Sequence, residues 1–301
     1  MRIGIDIGGT KIEAVAIDAD LEVLATFRGP VRPGSGGVTA GALEAVREIR
    51  DRAGGAVESI GIGIPGAIRH GVVHHARNLH IGSFDLRTAV ADATDAPVRV
   101  CNDVNAAALG AWALRGATST AFAYLNLGTG LAAGLVLDGR LWEGPRGLAG
   151  EIGYISADPH GPGHVDGLAG SLEGYASGSG VVAQWGVEGA TAVDVFCAAT
   201  AGDARAIAIR DGVYFGAANA VRVLALVFGA DTIVLGGGLT GLGVSLRDGM
   251  TMHFDAWAET SPLIASLGLD TITHVLDDER PTHAIGAAIV GGPHGVGGSH
   301  G

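Results

Sequence analysis

Apolar residues alternate at Ile3, Ile5 and Ile7, which predicts a β-strand in the first residues. From Glu13, the stretch EAVAIDADLEVLA continues as a second strand, a turn opened by Asp18, and a third strand. Thr39 to Ala53 puts Leu43, Val46 and Ile49 on one face with Gly54 just past its end, a helix with its stop. SIGIGIPG (59–66) reads as a strand ending in a Pro-Gly turn. VRVCNDVNAAALGAWALRG (98–116) reads as a strand running through Asn102-Asp103 into an alanine-rich helix. The second half predicts a long helix around Asp211 to Phe228, a strand at DTIVL, the triplet Gly236-Gly237-Gly238, a late strand and a short closing helix at PTHAIGAAIVGG.

One stretch repeats. Asp6 to Val23 lies over Asn126 to Glu143 with no gap, matching Gly8 to Gly128, Asp18 to Asp138 and Leu21 to Leu141. Both copies read as strand, glycine-threonine turn, apolar strand, Asp-initiated turn and further strand. An internal repeat fixes architecture before any single element does, and this one predicts two related α/β lobes.

Composition narrows the class. With 48% hydrophobic and 17% charged residues among 301, the chain belongs with soluble globular proteins. A net charge of −12 argues against binding to a nucleic-acid backbone, which needs a basic face. Cys101 and Cys197 are too few for a disulfide framework or a thiolate zinc cluster. Asp6 interrupts the apolar start where a signal peptide needs its core, and Arg222 and Asp231 interrupt Ala220 to Leu239, the most apolar region. The expectation is a cytoplasmic protein without a membrane span.

Candidate chemistry gathers at three places. DIGGTK sets closely spaced backbone amides where Gly8 and Gly9 present no side chain to a phosphate. Thr10 adds a hydroxyl, Lys11 a cation, and Asp6 a carboxylate for Mg2+, directly or through water. Gly128-Thr129-Gly130 repeats that turn in the second lobe, so two glycine turns could clamp one polyphosphate. Neither is a Walker P-loop. Asp103, at the C-terminal end of a strand, either accepts the proton of an attacking hydroxyl, with Asn102 orienting the substrate, or only caps the following helix.

DIGGTK, GIPG, Asn78-Leu79, CNDVNAAALG, NLGTGLAAGLVLDGRLWEGPRGLAGEIG, SLEG and IVLGGGL, in that order, resemble the ROK family of sugar kinases. The resemblance implies a two-lobed actin-like, hexokinase-like ATPase fold of duplicated ribonuclease H-like lobes with an interlobe cleft. It implies a small lobe at 1–112, a large lobe at 113–281, a helix at 282–292 returning to the small lobe, and a flexible tail at 293–301. Asp103 would be the general base on a sugar hydroxyl, commonly the 6-hydroxyl. Asn102, Glu151 and Glu173 would hold other hydroxyls, with Gly66, Asn78 and Tyr154 near the sugar. Gly8, Gly9, Thr10, Lys11, Gly128, Thr129 and Gly130 would contact the phosphates of ATP, Gly237 and Gly238 the adenosine, and Asp6 the Mg2+. A homodimer is implied as well.

Many members carry EIGH and a three-cysteine run that bind structural zinc. This chain has EIGY, and His164, Asp166 and Ser171 stand where the cysteines would, so no zinc site is expected and the loop would be held by packing and hydrogen bonds, with Tyr154 a candidate for that task. The histidines 70, 74, 75 and 80 read as a hairpin near the cleft entrance rather than a metal cluster. The favoured function is an ATP-dependent hexose kinase acting on glucose or a related sugar. Mannose, fructose, an N-acetylhexosamine or an aminosugar such as kanosamine remain open, as does a non-catalytic sugar-binding or regulatory protein. A sugar-responsive repressor would need a DNA-binding segment ahead of Asp6.

Overall fold

A computed structural model describes residues 1–163, 168–276 and 280–292. The alternating isoleucines form β1 (Arg2–Ile7), and Ile3, Ile5 and Ile7 are buried. β2 (Lys11–Ile17) returns antiparallel, and β3 (Val23–Pro30) pairs with β2. Asp18 opens the second turn by accepting from the amides of Asp20 and Glu22 at 2.9 Å, the local bonding that makes Asp a turn residue. α1 (Ser35–Ala53) begins ahead of the expected Thr39. Gly36 and Gly37 look like breakers, but burial of Val38, Gly41 and Ala42 outweighs their weak propensity.

β4 (Ser59–Ile64), β8 (Val98–Asn102) and the first three strands make a sheet of order β3-β2-β1-β4-β8, with β1, β4 and β8 parallel. Between β4 and β8 lie β5 (Ala67–Arg69), β6 (Val72–Ala76), β7 (Ile81–Asp85) and α2 (Leu86–Thr94). β5, β6 and β7 form their own sheet, in which β5 and β6 make the expected hairpin about His70-Gly71 and β7 adds a third antiparallel strand. His70, His75 and His80 all have positive φ there. α3 (Asp103–Leu114) follows β8 directly.

The second five-stranded sheet contains β9 (Ala121–Leu127), β10 (Leu131–Leu137), β11 (Arg140–Leu141), β12 (Thr232–Gly236) and β13 (Thr273–Val275), in the order β11-β10-β9-β12-β13. Its parallel strands are β9, β12 and β13. Both sheets thus run third, second, first, fourth, fifth, which is the physical content of the sequence repeat. Between β11 and β12 come α4 (Leu172–Ala176), α5 (Gly178–Trp185), α6 (Ala192–Thr200) and α7 (Ala204–Val223). α7 starts earlier than expected because Asp203 caps it through the amide of Ala206 at 2.8 Å, and its C-terminal extension, Leu224–Phe228, is π-helical. By length and composition Ala204–Phe228 could cross a bilayer, yet Ile209, Val213, Ala217 and Val221 are buried and the helix packs on α4, α6 and α5 as a core element. α8 (Val244–Thr260), α9 (Pro262–Leu267) and α10 (Leu269–Ile272) precede β13.

Two compact units result. One holds Met1–Thr120, Gly134–Ala149 and the described residues 280–292; the other holds Ala121–Ala133 and Gly150–Leu276. The last helix, α11 (Thr282–Gly291), belongs to the first unit and packs on β1, β4 and α3. That contact is backbone against backbone. A Cβ at Gly4 would overlap the carbonyl of Ala284, one at Gly61 that of Ala287, one at Gly110 that of Thr282, and one at Gly286 that of Ala106. These glycines serve close approach rather than turning. The expected tail, 293–301, lies outside the described residues.

Candidate active site

In the first unit, strand register pairs Asp6 with Gly63 and Gly63 with Cys101. Asp6 and Asp103 therefore rise on either side of a residue without a side chain. A Cβ on Gly63 would stand 3.1 Å from Ala106 Cβ, 3.5 Å from Asp103 Cα and 3.8 Å from Asp6 Oδ1. Asn102, not Asp103, is the N-cap of α3: its Oδ1 accepts from the amides of Val104 at 2.9 Å and Asn105 at 3.3 Å. Asp103 Oδ1 accepts from the Val104 amide at 3.0 Å. Asn102 Nδ2 donates to the carbonyl of Gly66 at 3.2 Å, which brings Gly66 to the same corner.

Loss of hydration dominates the electrostatics. The Asp6 side chain is 13% exposed. Burial raises its pKa from 3.8 to about 7, with Glu13 adding to the rise and Lys11 opposing it. Burial also lifts Asp103 to about 6, helped by the Asp6 charge and opposed by His283. His283 comes from the start of α11, its Nδ1 3.9 Å from Asp6 Oδ1, and burial depresses its pKa against the pull of Asp103 and Glu13. Two carboxylates in one largely shielded corner make a base poised near neutrality and a place where a cation is welcome. Asp6 fits a Mg2+ role, because a divalent cation offsets the cost of its ionised form.

The first glycine turn closes with Gly8 N donating to the Lys11 carbonyl at 2.9 Å. Among the described residues the amides of Gly9 and Thr10 have no protein acceptor. Lys11 Nζ lies 3.5 Å from Glu13 Oε2, and a Cβ on Gly9 would be 3.8 Å from Asn78 Cβ, so Asn78 borders this turn. Glu143 also belongs to this unit. Its Oε1 accepts from Asn105 Nδ2 at 3.4 Å, and burial raises its pKa. Cys101 is buried at the strand end, and its thiol is pushed up by burial and by the charges of Glu143, Asp103 and Asp6.

In the second unit, Gly128 N donates to the Gly130 carbonyl at 3.0 Å, and the carbonyls of Gly128 and Thr129 accept from Gly178 N at 2.8 Å and Ser179 N at 3.1 Å. Those bonds turn the carbonyls toward α5. Among the described residues they leave the amides of Thr129 and Gly130 without a protein acceptor. Gly237, with φ 87°, packs on this turn: a Cβ there would be 2.6 Å from Gly128 N. A Cβ on Gly238 would meet nothing within 4 Å. Glu151 is exposed, beside Gly150, whose carbonyl accepts from Ala133 N at 2.8 Å. Glu173 Oε2 accepts from Leu131 N at 2.8 Å. This unit thus gathers Gly128, Thr129, Gly130, Gly237 and Glu173.

The connection from Glu151 to Glu173 is held by an antiparallel bridge between Ser156 and Ser171 and by Ala157 N donating to the Gly170 carbonyl at 2.8 Å. Tyr175 Oη donates to Asp158 Oδ2 at 3.1 Å, and its ring meets Phe215 edge-on at 5.3 Å. Gly212 and Gly216, one turn apart on α7, make room for that ring. His164 and Asp166 lie outside the described residues. Of the other two positions considered for zinc, Ser171 Oγ is engaged with the amide of Gly174 at 3.0 Å and Tyr154 is half-exposed. A capping hydroxyl and a phenol do not fit a zinc site.

Sequence reasoning missed Gly63, Glu143, Tyr175 and His283. Gly63 was legible as the glycine directly opposite Asp6 once the parallel register is known. His283 carries no local signal, since its neighbour Asp6 stands at the other end of the chain.

Comparison with known proteins gives one family. The model described as "ROK family" matches residues 2–290. The glucokinase of Halalkalibacterium halodurans is 32% identical over 283 residues, covering 85% of this chain and 86% of that protein. The N-acetylmannosamine kinase of Citrobacter koseri is 34% identical over 211 residues, covering 68% and 72%. The crystal structure of a ROK family glucokinase from Streptomyces griseus in complex with glucose and AMPPNP superposes with a TM-score of 0.75 at 28% identity, covering 96% of this chain and 98% of that one.

Proposed function

Since the chain belongs to the ROK family, we propose that it is an ATP-dependent sugar kinase that transfers the γ-phosphate of ATP to a hexose hydroxyl, the 6-hydroxyl of glucose or a related hexose. The carrying observation is Asp103, a strand-end carboxylate whose pKa burial and Asp6 hold near 6, within reach of neutral pH. The glucose and AMPPNP bound to the Streptomyces griseus relative support both ligands. The N-acetylmannosamine kinase relative favours an N-acetylhexosamine as the second reading of the acceptor.

The ionised Asp103 takes the proton of the sugar hydroxyl, and that oxygen attacks the γ-phosphorus as ADP departs. Asn102 has both its amide ends engaged by backbone groups, so it is held rigid, and its second N–H can orient the sugar. Glu151 and Glu173 accept from other hydroxyls, with Gly66, Asn78 and Tyr154 completing the sugar side. The amides of Gly9, Thr10, Thr129 and Gly130 meet phosphate oxygens, as do Gly8, Lys11 and Gly128, while Gly237 and Gly238 pass the adenosine. Mg2+, held through Asp6, would supply charge neutralisation on those oxygens.

The protein is read further as a cytoplasmic homodimer. A coupled ADP-release assay across hexoses, N-acetylhexosamines and aminosugars tests the kinase reading; no turnover on any of them would overturn it.

A further inference from the structure

Glu173 has a bond that its sugar role does not call for. Its Oε2 accepts from Leu131 N at 2.8 Å, and Leu131 is the residue that directly follows the second glycine turn. The same oxygen would lie 2.8 Å from a Cβ on Gly130 and 3.3 Å from one on Gly153, so two glycines open the space in which the carboxylate sits. The other side of the turn is tied to the start of α5. There the amides of Gly178 and Ser179 donate to the carbonyls of Gly128 and Thr129, and Ser179 Oγ adds a bond to Thr129 O at 2.6 Å. Ser177, which precedes α5, accepts from Gly180 N at 2.9 Å and holds that helix start. The turn is therefore gripped from both ends, at its carbonyls by α5 and at its exit by Glu173 from α4.

This grip decides which way the turn's peptides face. With the Gly128 and Thr129 carbonyls drawn toward α5 and Leu131 N fixed on Glu173, the amides in between, Thr129 and Gly130, point away from protein acceptors among the described residues. An unbraced glycine turn has many conformations and loses entropy whenever it orders around a ligand. A charged acceptor on a backbone amide is among the stronger braces available.

We propose that Glu173 is a positioning residue for the nucleotide: through Leu131 it holds the Gly128–Gly130 turn in its phosphate-binding shape, so one carboxylate serves the sugar and the phosphate turn together. The inference rests on the kinase reading above, and nucleotide binding measured without sugar separates the two. Isothermal titration with Mg·ADP, in the absence of any sugar, is the direct test. Glu173→Ala removes the acceptor, and its ADP affinity is expected to fall roughly tenfold. Glu173→Gln keeps a carbonyl oxygen for Leu131 N and is expected to bind ADP within about twofold of the unaltered protein, while both variants raise the sugar KM. Glu173→Met, which fills the space without accepting, replaces Glu173→Ala if that variant does not melt cooperatively.

A residue that only holds sugar would raise the sugar KM and leave ADP binding untouched in every variant, and that result overturns the proposal. If the unaltered protein binds no ADP at all, the kinase reading falls and the proposal with it. A measurement on the unaltered protein is independent of folding effects: the Leu131 amide is expected to exchange with solvent more slowly than those of Thr129 and Gly130. Equal exchange at the three positions also overturns it.

Discussion

Asp6→Asn should make the ligand-free protein more stable at alkaline pH, although it removes a residue assigned to the site. Burial, with Glu13 nearby, raises the Asp6 pKa from 3.8 to about 7. At 1.36 kcal/mol per unit of pKa, the ionised carboxylate costs the folded state about 4 kcal/mol. The opposing Lys11 charge, and the water that reaches a 13% exposed side chain, bring this to about 2–4 kcal/mol. The sign is fixed by proton counts. Below about pH 4 the carboxyl is protonated folded and unfolded. Between about 4 and 7 the unfolded chain has released the proton that the fold still holds, so stability falls as pH rises; above about 7 the penalty is complete and constant. An amide of nearly the same shape carries no such penalty. Thermal melts of both proteins from pH 5 to 9, without divalent cations or nucleotide, should show the variant melting higher at pH 8. At about 2–4 °C per kcal/mol for large domains, the gap is at least about 4 °C. It should shrink toward pH 5. A variant that melts below the unaltered protein at pH 8, or a gap independent of pH, would refute the assignment of the penalty to Asp6.

Asp103→Asn should lower kcat by about 10²–10⁴-fold without lowering the melting temperature; near-normal turnover would exclude Asp103 as the base. In the unaltered protein kcat/KM should fall about tenfold per pH unit below about 6, because the base must be ionised, and a flat profile to pH 4.5 would count against it. Tyr175→Phe leaves Asp158 without its phenol donor and should destabilise by about 1–2 kcal/mol in urea melts. It should also raise the sugar KM more than the ATP KM, because the affected chain joins Glu151 to Glu173. Gly61→Ala drives a methyl into the Ala287 carbonyl, at about 2–3 kcal/mol; a melting temperature unchanged within a degree would mean that α11 is not packed as described.

Much of this was legible because the signals were local. Alternation at Ile3, Ile5 and Ile7 needs no partner to be read, and Asn102-Asp103 is a strand end and helix start in any context. The repeat announced two related lobes, and the two sheets do share one strand order. What escaped depended on distant partners. Gly4, Gly61, Gly110 and Gly286 look like turn residues until α11 is laid against them. The α1 start was misplaced because glycine propensity is weak evidence against burial, and α7 because Asp203 is only one of many aspartates until its capping bond is seen. For Asn102 and Asp103 the residue types were clear and their division of labour was not, since either side chain could reach the free amides of α3.

The packing of α11 also bears on how the chain reaches this state. β1 and β4 are made first, whereas the helix that seals them belongs to the opposite end of the described sequence. Closing so long a loop adds little to the equilibrium cost, which grows only with the logarithm of length, but it postpones the contact. While the ribosome is still working through the second unit, the faces of β1 and β4 that carry Gly4 and Gly61 wait uncovered, with Arg2, Asp6 and Ser59 on the same side. A premature stop before Thr282 would leave the first unit permanently without its seal.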